Sequence, residues 1–192
     1  MIILVTGPAR SGKDHFARYC ANKALFTQLR FAGGLKNSLR VILESAGETK
    51  KDINRMIDGD LKETPCKTLN YKTPRYAMQT LGTEWGRMLI GVNFWAMITA
   101  TKAVRLAEEG QPVVIPDCRF DNEWTCTKAL ADAHRIPCYL VERRHTAQIE
   151  STHASEAGLD PQIPRDCVFP FYQDETDAHS AYWAFLNAHG AF

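Results

Sequence analysis

The segment at residues 2–14 reads Ile-Ile-Leu-Val-Thr-Gly-Pro-Ala-Arg-Ser-Gly-Lys-Asp. Its first four residues are a continuous apolar run, the pattern of a parallel strand that is buried on both faces. Residues 7–14 then match G-x-x-x-x-G-K, a loop whose glycines let backbone N–H groups surround a phosphate chain at a helix N-terminus. We therefore predict a nucleotide-binding loop in which Lys13 reaches the β- and γ-phosphates. A plain glycine turn that opens a helix would not explain Lys13.

The residue after Lys13 departs from the usual form of this loop. A Ser or Thr hydroxyl that ligates Mg²⁺ normally follows the lysine, whereas this chain has Asp14 followed by His15. Asp14 either holds the water shell of the metal or serves as an acid that is favoured at a helix N-terminus. Both interpretations stay open at the level of sequence.

The rest of the chain alternates short apolar runs with longer helical stretches, which is typical of an α/β protein with a mostly parallel sheet. Its 192 residues fit one domain. The predicted strands cover residues 2–5, 28–31, 112–115, 138–142 and 167–169. The predicted helices cover residues 12–26, 35–45, 75–90, 94–109, 123–134 and 178–188, and a polar helical excursion with a loop is predicted at 47–72.

Composition excludes several classes of protein. No apolar run approaches the roughly 20 residues of a membrane helix, and no basic segment precedes the first apolar run, so we expect a cytoplasmic protein without a signal peptide. The net charge of +1 argues against a protein held to DNA mainly by charge. Six scattered cysteines without a CxxC pair predict reduced thiols and argue against a zinc site.

A second centre follows the predicted strand at residues 112–115. An apolar strand that ends in an acid, here Asp117, is the pattern of the metal-side carboxylate in proteins with this kind of loop. The carboxyl ends of parallel strands line the ligand crevice, so we expect Asp117 to face the phosphates. Arg119 follows two residues later and is suited to clamp an acceptor phosphate, because a guanidinium binds phosphate with two donors. The alternative is that Asp117 only caps the helix that contains Glu123.

Two further segments carry basic residues. In the helix predicted at 75–90, the apolar residues Met78, Leu81, Trp85 and Met88 fall at helical spacing and are predicted to be core. This stripe leaves Arg75, Gln79 and Arg87 unexplained, and a solvated surface would also accommodate them.

The pair Arg143-Arg144 leads from a predicted strand into a polar loop. Paired arginines at this place suit a lid that closes over a transferring phosphoryl group and excludes water. The alternative for Arg143 is a surface ion pair with Glu142 or Asp166. His153, in the same loop, is predicted to form loop hydrogen bonds, since phosphoryl transfer needs little acid–base chemistry.

Together these segments resemble the bacteriophage deoxynucleoside monophosphate kinases, a branch of the P-loop nucleoside monophosphate kinases. The resemblance follows the order of the family along nearly the whole chain. It rests on residues 7–14, 31–36, 75–84 (R-x-x-x-Q-x-L-G-T-E), 94–95, 115–123 (with P-D-x-R-x-x-x-E) and 152–159 (T-H-x-S-E-A-G-L).

The resemblance implies a three-layer α/β P-loop fold in a single domain, residues 1–192, with an acceptor-binding insertion at about 36–95 and a short lid at about 143–157. It implies a cytoplasmic kinase that uses ATP and Mg²⁺ to convert a deoxynucleoside monophosphate to its diphosphate for phage DNA synthesis, and it is compatible with a homodimer. The implied ATP contacts are Gly7, Ala9, Arg10, Ser11, Gly12, Lys13, Asp14 and His15, with Asp14 and Asp117 at the metal. The acceptor contacts are Lys36, Arg75, Gln79, Gly82, Thr83, Trp95, Arg119, Glu123 and Arg144; the catalytic set is Lys13, Asp117, Arg119 and Arg143.

Three other functions were weighed against this one. A kinase that phosphorylates a modified base within DNA should carry a basic track, and a net charge of +1 gives little support to one. A small-metabolite kinase shares the G-K-D loop but not the other motifs. A nucleotide-binding regulator without turnover would not need Asp117, Arg119 and the two lid arginines together.

Overall fold

The computed structural model describes residues 1–145 and 158–191. The chain divides into two compact units. We call Met1–Phe31 together with Thr99–Phe192 the sheet unit, and Ala32–Ile98 the helical unit. Each unit has its own buried core, and each is described by itself below.

The elements follow the α/β alternation that the sequence predicts. In chain order they are β1 (Ile2–Thr6), α1 (Lys13–Ala24), β2 (Thr27–Gln28), α2 (Ala32–Ser45), α3 (Lys50–Asp58), α4 (Pro74–Thr80), a π-helix (Leu81–Ile90), α5 (Phe94–Glu108), β3 (Val113–Ile115), α6 (Asp121–Ala133), β4 (Cys138–Arg143), β5 (Cys167–Phe169) and α7 (Glu175–Ala188), with short 3₁₀ turns at Asp60–Glu63 and Lys67–Leu69.

The five strands form one sheet in the order β2-β3-β1-β4-β5, and their pairing is parallel, as predicted. The central strand β1 pairs with β3 on one side and β4 on the other, and it is buried along its whole length. Both faces of the sheet are therefore covered. The strand order reverses around β1, and the carboxyl ends of the strands at such a point form the ligand crevice of an open α/β sheet.

One face of the sheet packs against α1 and α7. Alternate β1 residues, Ile3 and Val5, lie in a core with Phe16 of α1 and with Tyr182 and Leu186 of α7. Because successive strand residues point to opposite faces, this pairing sets which side of β1 the two helices cover. It also fixes the first turn of α1, which follows the glycine loop directly.

The helical unit has a separate core under α2, α3 and α4, formed by Leu39, Leu43, Ile53, Ile57 and Met78 with their neighbours. Two of its helices follow a residue whose side chain accepts a hydrogen bond from a main-chain N–H of the first turn. Thr49 accepts from the main-chain N–H of Asp52, and Thr73 accepts from that of Tyr76 one residue before Pro74. The segment predicted as a polar excursion at 47–72 thus contributes α3 to this core.

The π-helix corrects one prediction. Leu81–Ile90 is wound more loosely than an α-helix, and the bond from Gly91 N–H to the Gly86 carbonyl spans five residues at 2.9 Å. The predicted core stripe assumed 3.6 residues per turn, so it fails after Leu81, which is half-buried. Met78 is buried, whereas Trp85 is 42% exposed and Met88 is 73% exposed, so their assignment to the core is wrong.

The second strand is also shorter and earlier than predicted. It covers Thr27–Gln28, whereas the apolar pattern placed it at 28–31. The N–H of Leu29 still donates to the carbonyl of Val114 in β3. The N–H of Phe31, however, donates to the Asp117 carboxylate, and α2 begins at the next residue. A side chain thus replaces the strand partner at the end of β2.

Two findings bear on the composition arguments. The six cysteines are free, in agreement with the prediction of reduced thiols, and burial raises the pKa of the Cys138 thiol to about 12. Within residues 1–145 and 158–191, no helix has the length and apolar character that crossing a membrane requires.

Candidate active site

The loop between β1 and α1 has a shape that only glycine permits at two positions. Gly7 has a φ of +133°, and a Cβ there would overlap the carbonyl oxygen of Arg143. Gly12 has a φ of +88° and immediately precedes α1. Both φ values lie where L side chains are strained, so the glycine spacing read from the sequence is a backbone requirement.

Lys13 holds its charge at the centre of this loop. Its Nζ donates to the carbonyl of Gly7 at 2.7 Å and to that of Pro8 at 2.5 Å, and the residue is only 9% exposed. The ammonium therefore lies beside the helix N-terminus, where main-chain N–H groups and the helix dipole also favour negative charge. This is the position that the sequence predicts for a lysine that contacts donor phosphates.

Ser11 carries an unsatisfied polar atom in the same loop. The residue is 1% exposed, and its hydroxyl oxygen has no hydrogen-bond partner in the part of the chain that the structure describes. It would lie 3.1 Å from a Cβ built on Gly7, so it lies close to the first glycine of the loop. A buried hydroxyl without a partner is costly. A phosphate oxygen would supply that partner, so the loop fits the nucleotide implied by the resemblance.

Asp14 lies at the first turn of α1 and is exposed. Its carboxylate forms an ion pair with the guanidinium of Arg30, which follows β2. The acid is therefore partly neutralised by a neighbour that the sequence analysis did not single out. Both interpretations of Asp14 survive, since an exposed pair leaves room for the water shell of a metal.

The remaining loop residues differ in their surroundings. Arg10 is exposed and has a φ of +60°, so it occupies a left-handed conformation beside Ala9. His15 faces away from the loop toward α7, where its Nε2 lies 3.0 Å from a carboxylate oxygen of Glu175. The predicted ATP contacts of Ala9, Arg10 and His15 stay predictions.

Asp117 follows β3, the neighbour of β1, at the carboxyl edge of the sheet. Its Oδ1 accepts from the N–H of Phe31 at 2.9 Å, which ties the end of β3 to the chain after β2. The alternative that Asp117 caps the next helix is wrong, because α6 begins after Phe120. Mg²⁺ prefers carboxylates and water as ligands, so Asp117 and Asp14 carry the type of ligand atom that a magnesium site needs.

Glu123 has a structural task that the sequence did not indicate. It is buried, and its Oε2 accepts from the N–H of Arg119 at 2.7 Å and from that of Phe120 at 3.1 Å. The carboxylate thus fixes the turn between β3 and α6 and sets the main chain from which the Arg119 side chain projects. Through this turn Glu123 positions Arg119, whether or not it also contacts the acceptor.

Arg143 lies beneath the phosphate loop. It ends β4 and is 4% exposed, its Nε donates to the Ser11 carbonyl at 3.1 Å, and its Nη1 donates to the Pro170 carbonyl at 3.0 Å. The guanidinium also lies over the rings of Tyr172 and Tyr182, 5.4 and 5.3 Å from their centroids. The structure places this arginine at the buried end of a strand and bonds it to the main chain of the loop, and its predicted lid role stays a prediction.

Arg144, the next residue, is exposed and pairs with Glu142 at 3.0 Å. Glu142 also lies 3.3 Å from Arg165, and the Asp166 carboxylate accepts from a main-chain N–H of β4. The alternative that Arg143 forms a surface pair with either acid is therefore wrong. Most of the predicted lid, including His153 and nearly all of the motif at 152–159, lies outside the described residues.

In the helical unit, the predicted acceptor residue Lys36 projects from α2 to Asp58 at the end of α3. Its Nζ lies 2.6 Å from one carboxylate oxygen, while Arg40 lies 2.5 Å from the other. Partial burial acts to raise the pKa of Asp58, but the hydrogen bonds and charges of Lys36 and Arg40 outweigh it and lower that pKa. Two cations thus share one acid, which leaves net positive charge on this face.

Arg75 projects from α4 and pairs with Glu63. Gln79 on the same helix is exposed, and so is Thr83 in the π-helix. The predicted acceptor contacts of α4 and the π-helix therefore include polar side chains that solvent reaches.

Trp95 and the glycines of the π-helix form the best-packed predicted acceptor region. The indole N–H of Trp95 donates to the Gly82 carbonyl at 3.0 Å, and the residue is 7% exposed. A Cβ on Gly86 would overlap that indole nitrogen, so glycine is required for the approach. Trp95 therefore fixes the π-helix, and Gly82 contributes through its main chain.

Sequence reasoning missed the partners of the predicted residues. Arg30 pairs with Asp14, and Tyr172 and Tyr182 flank Arg143. Each partner lies far along the chain and in no motif, so a single sequence contains no spacing signal for it. The one available signal for Arg143 was its place at the end of an apolar strand, which favours burial over a lid.

The geometry defines a class of protein, and comparison with known structures agrees. A mutant of the APS kinase of Mycobacterium tuberculosis matches with a TM-score of 0.51 and 13% identity, covering 97% of this chain and 96% of its own. A protein of Chloroflexus aurantiacus with a provisional kinase assignment matches with a TM-score of 0.50 and 13% identity, over 100% of this chain and 97% of its own. At this identity the likeness establishes the fold, a three-layer α/β fold of P-loop kinases.

The family follows from a sequence comparison. The family model for deoxynucleotide monophosphate kinase matches residues 59–170, more than half of the chain. No curated protein matches the chain. The chain belongs to the deoxynucleotide monophosphate kinase family, and it is a nucleotide kinase, a phosphotransferase with a nucleotide-binding P-loop fold.

Proposed function

We propose that this kinase transfers the γ-phosphoryl group of ATP to a deoxynucleoside monophosphate and so forms ADP and the deoxynucleoside diphosphate, supplying DNA precursors for a phage. The observation that carries the donor half is the glycine loop around buried Lys13, with the orphaned hydroxyl of Ser11 beside it. The class of acceptor comes from the family.

On the donor side, Lys13 and the main-chain N–H groups of the loop hold the β- and γ-phosphates. Negative charge is favoured there by the helix N-terminus as well as by the ammonium. Asp14 and Asp117 are the residues that would hold Mg²⁺, which neutralises charge on the β- and γ-phosphates when it is bound. Binding of Mg²⁺ would compete with Arg30 for Asp14.

On the acceptor side, Lys36, Arg75, Gln79 and Thr83 contribute exposed or half-exposed polar groups from the helical unit. Arg119, held by Glu123, is the clamp on the acceptor phosphate. An oxygen of that phosphate attacks the γ-phosphorus, the bond to the β-phosphate oxygen breaks, and ADP leaves. The acceptor is already anionic, so the reaction needs no protein base.

The two arginines at the end of β4 have separate roles in this proposal. Arg143 is a positioning residue, because its guanidinium is bonded to the main chain of the loop and of Pro170. Arg144 is exposed and pairs at the surface with Glu142, and such a pair contributes at most about 1 kcal/mol. It is therefore available to turn toward a transferring phosphoryl group.

The donor assignment is tested with Lys13→Ala. We expect transfer to be nearly abolished with the fold intact, since the loop N–H groups remain but the charge beside the phosphates is lost. The matched control is Lys23→Ala, an exposed lysine in the last turn of the same helix, which should keep parental turnover. ATP consumption is measured against the natural deoxynucleoside monophosphates and their hydroxymethyl derivatives. Turnover of Lys13→Ala within tenfold of the parent would disprove the assignment.

The acceptor assignment is tested with Arg75→Ala and Arg119→Ala. Loss of a charge-assisted contact costs about 1.5–3 kcal/mol, or roughly 10- to 150-fold in kcat/KM for the acceptor. The affinity for ATP should change little, and Arg105→Ala at an exposed position is the control. A loss of ATP affinity with an unchanged acceptor KM would reverse the assignment of donor and acceptor sides.

A further inference from the structure

Two histidines and a carboxylate come together where α1 meets α7, away from the concave side of the phosphate loop. His15 lies in the first turn of α1, and Glu175 and His179 lie four residues apart on α7. One potential ligand atom from each of the three lies within 4.8 Å of the others. The three side chains range from partly buried to exposed, so an ion can reach them from solvent.

The spacing of these atoms matches that of metal ligands. Glu175 Oε1 lies 3.0 Å from Nε2 of His15 and 3.5 Å from Nε2 of His179. In a tetrahedral zinc site with ligand distances of 2.0–2.1 Å, neighbouring donor atoms are about 3.3–3.4 Å apart. These two separations lie on either side of this value, and the third, between the two histidines, is no more than 4.8 Å, so side-chain shifts are needed to place one ion among the three atoms.

The surroundings of His15 resemble those of a metal-bound imidazole. A ligating histidine usually donates its other ring N–H to an acceptor, which fixes the ring and its tautomer. Here Nδ1 of His15 lies 3.4 Å from the Tyr182 hydroxyl oxygen, which can serve as that acceptor. The two imidazole rings are stacked 5.3 Å apart and nearly coplanar in orientation, with an interplanar angle of 8°.

We propose that His15, Glu175 and His179 bind one divalent transition-metal ion of the zinc type, with water completing the coordination. Two imidazoles and a carboxylate favour zinc over magnesium, which prefers oxygen ligands. This site is separate from the Asp14 and Asp117 carboxylates assigned above to Mg²⁺. Bound metal would join the first turn of α1, and so the end of the phosphate loop, to the start of α7.

Residues 1–145 and 158–191 contain a matched pair with no third ligand among them. His134 lies 2.7 Å from Glu108 at an exposed position, which reproduces the His–Glu contact of the site. If the histidines of α1 and α7 served only as surface ion-pair partners, the two places would behave alike toward zinc. His134→Ala is therefore the control, while His179→Ala and Glu175→Gln remove ligands of the proposed site without touching the phosphate loop.

The experiment titrates the full chain with Zn²⁺ by calorimetry and with Co²⁺ by absorption, because Co²⁺ reports on its ligands. We expect one Zn²⁺ per chain and a Co²⁺ spectrum without a thiolate charge-transfer band. At a hundredfold excess of zinc over the Kd, Tm should rise by about 5–10 °C. His179→Ala should lose more affinity than the about 10- to 100-fold that an outer partner contributes, and His134→Ala should lose none.

Three outcomes would overturn the proposal. The first is that the parent protein binds no zinc. The second is that His179→Ala and Glu175→Gln bind zinc as tightly as the parent does. The third is that the Co²⁺ spectrum shows thiolate ligands. The last would assign the metal to the free cysteines. None of these readouts depends on phosphoryl transfer, so the site and the proposed kinase reaction are tested separately.

Discussion

Arg143→Met tests whether the arginine at the end of β4 braces the phosphate loop. The substitution keeps an unbranched side chain but removes the guanidinium and its bonds to the carbonyls of Ser11 and Pro170. Each hydrogen bond from a charged donor contributes about 1.5–3 kcal/mol. Removing a buried charge also removes its desolvation cost. We therefore expect the free energy of unfolding to fall by about 2–4 kcal/mol.

The assay combines a melting curve with steady-state kinetics. For a chain of this length, a loss of about 2–4 kcal/mol lowers Tm by roughly 5–15 °C. The KM for ATP should rise in parallel, because the carbonyl of Ser11 belongs to the loop that would hold the donor phosphates. The control is Arg144→Ala, which removes an exposed pair with Glu142 and should lower Tm by less than about 4 °C.

A specific result would refute this reasoning. Suppose that Arg143→Met has the Tm and the KM for ATP of the parent protein and only its kcat is lower. The guanidinium then acts on charge that forms in the transition state. The predicted lid role would then be correct and the bracing role wrong. If Arg144→Ala alone lowers kcat, the charge is supplied by the exposed arginine, as proposed.

Three further predictions concern the helical unit and the assembly. Gly86→Ala should lower the free energy of unfolding by about 1–3 kcal/mol, because a Cβ there would overlap a buried indole nitrogen. Gly33→Ala is the control, since a Cβ at that position has open space around it and should be neutral or stabilising. Chemical denaturation measures both. Asp58→Asn should cost up to about 1 kcal/mol at pH 6. Lys36 and Arg40 lower the pKa of Asp58 in the folded protein. The difference should therefore begin to shrink below about pH 4, where the unfolded carboxyl takes up a proton, and should vanish once the pH lies below the lowered pKa. A loss that does not shrink between about pH 6 and pH 3 would contradict this. The homodimer implied by the family resemblance stays a prediction, and light scattering after size-exclusion chromatography tests it.

The sheet was predictable because its signals are local. Apolar runs bounded by glycine, proline or acids marked every strand except β2, and the glycine loop after β1 fixed the order of strand, loop and helix. The end of β2 was not predictable. It depends on a bond from the Phe31 N–H to Asp117, a residue 86 positions away that a single sequence does not place.

The π-helix escaped prediction for a different reason. Its winding is set by packing and not by composition, since Gly82 and Gly86 allow Trp95 to approach and to donate to a main-chain carbonyl. A helix that changes from 3.6 residues per turn breaks the period on which core prediction depends. The apolar residues of its last turn are accordingly exposed, with Met88 at 73% and Leu89 at 76%.

The site was predictable by residue type and not by role. Arg143 and Arg144 are identical in chemistry and adjacent in sequence, yet one is 4% exposed beneath the loop and the other pairs at the surface. The difference arises where the strand ends: Arg143 is the last residue of β4 and meets the phosphate loop and two tyrosines, whereas Arg144 follows the strand and meets the surface acid Glu142. A motif thus names the type of charge that a phosphate site needs, while the end of the strand decides which of two equal charges is buried against the loop and which stays at the surface.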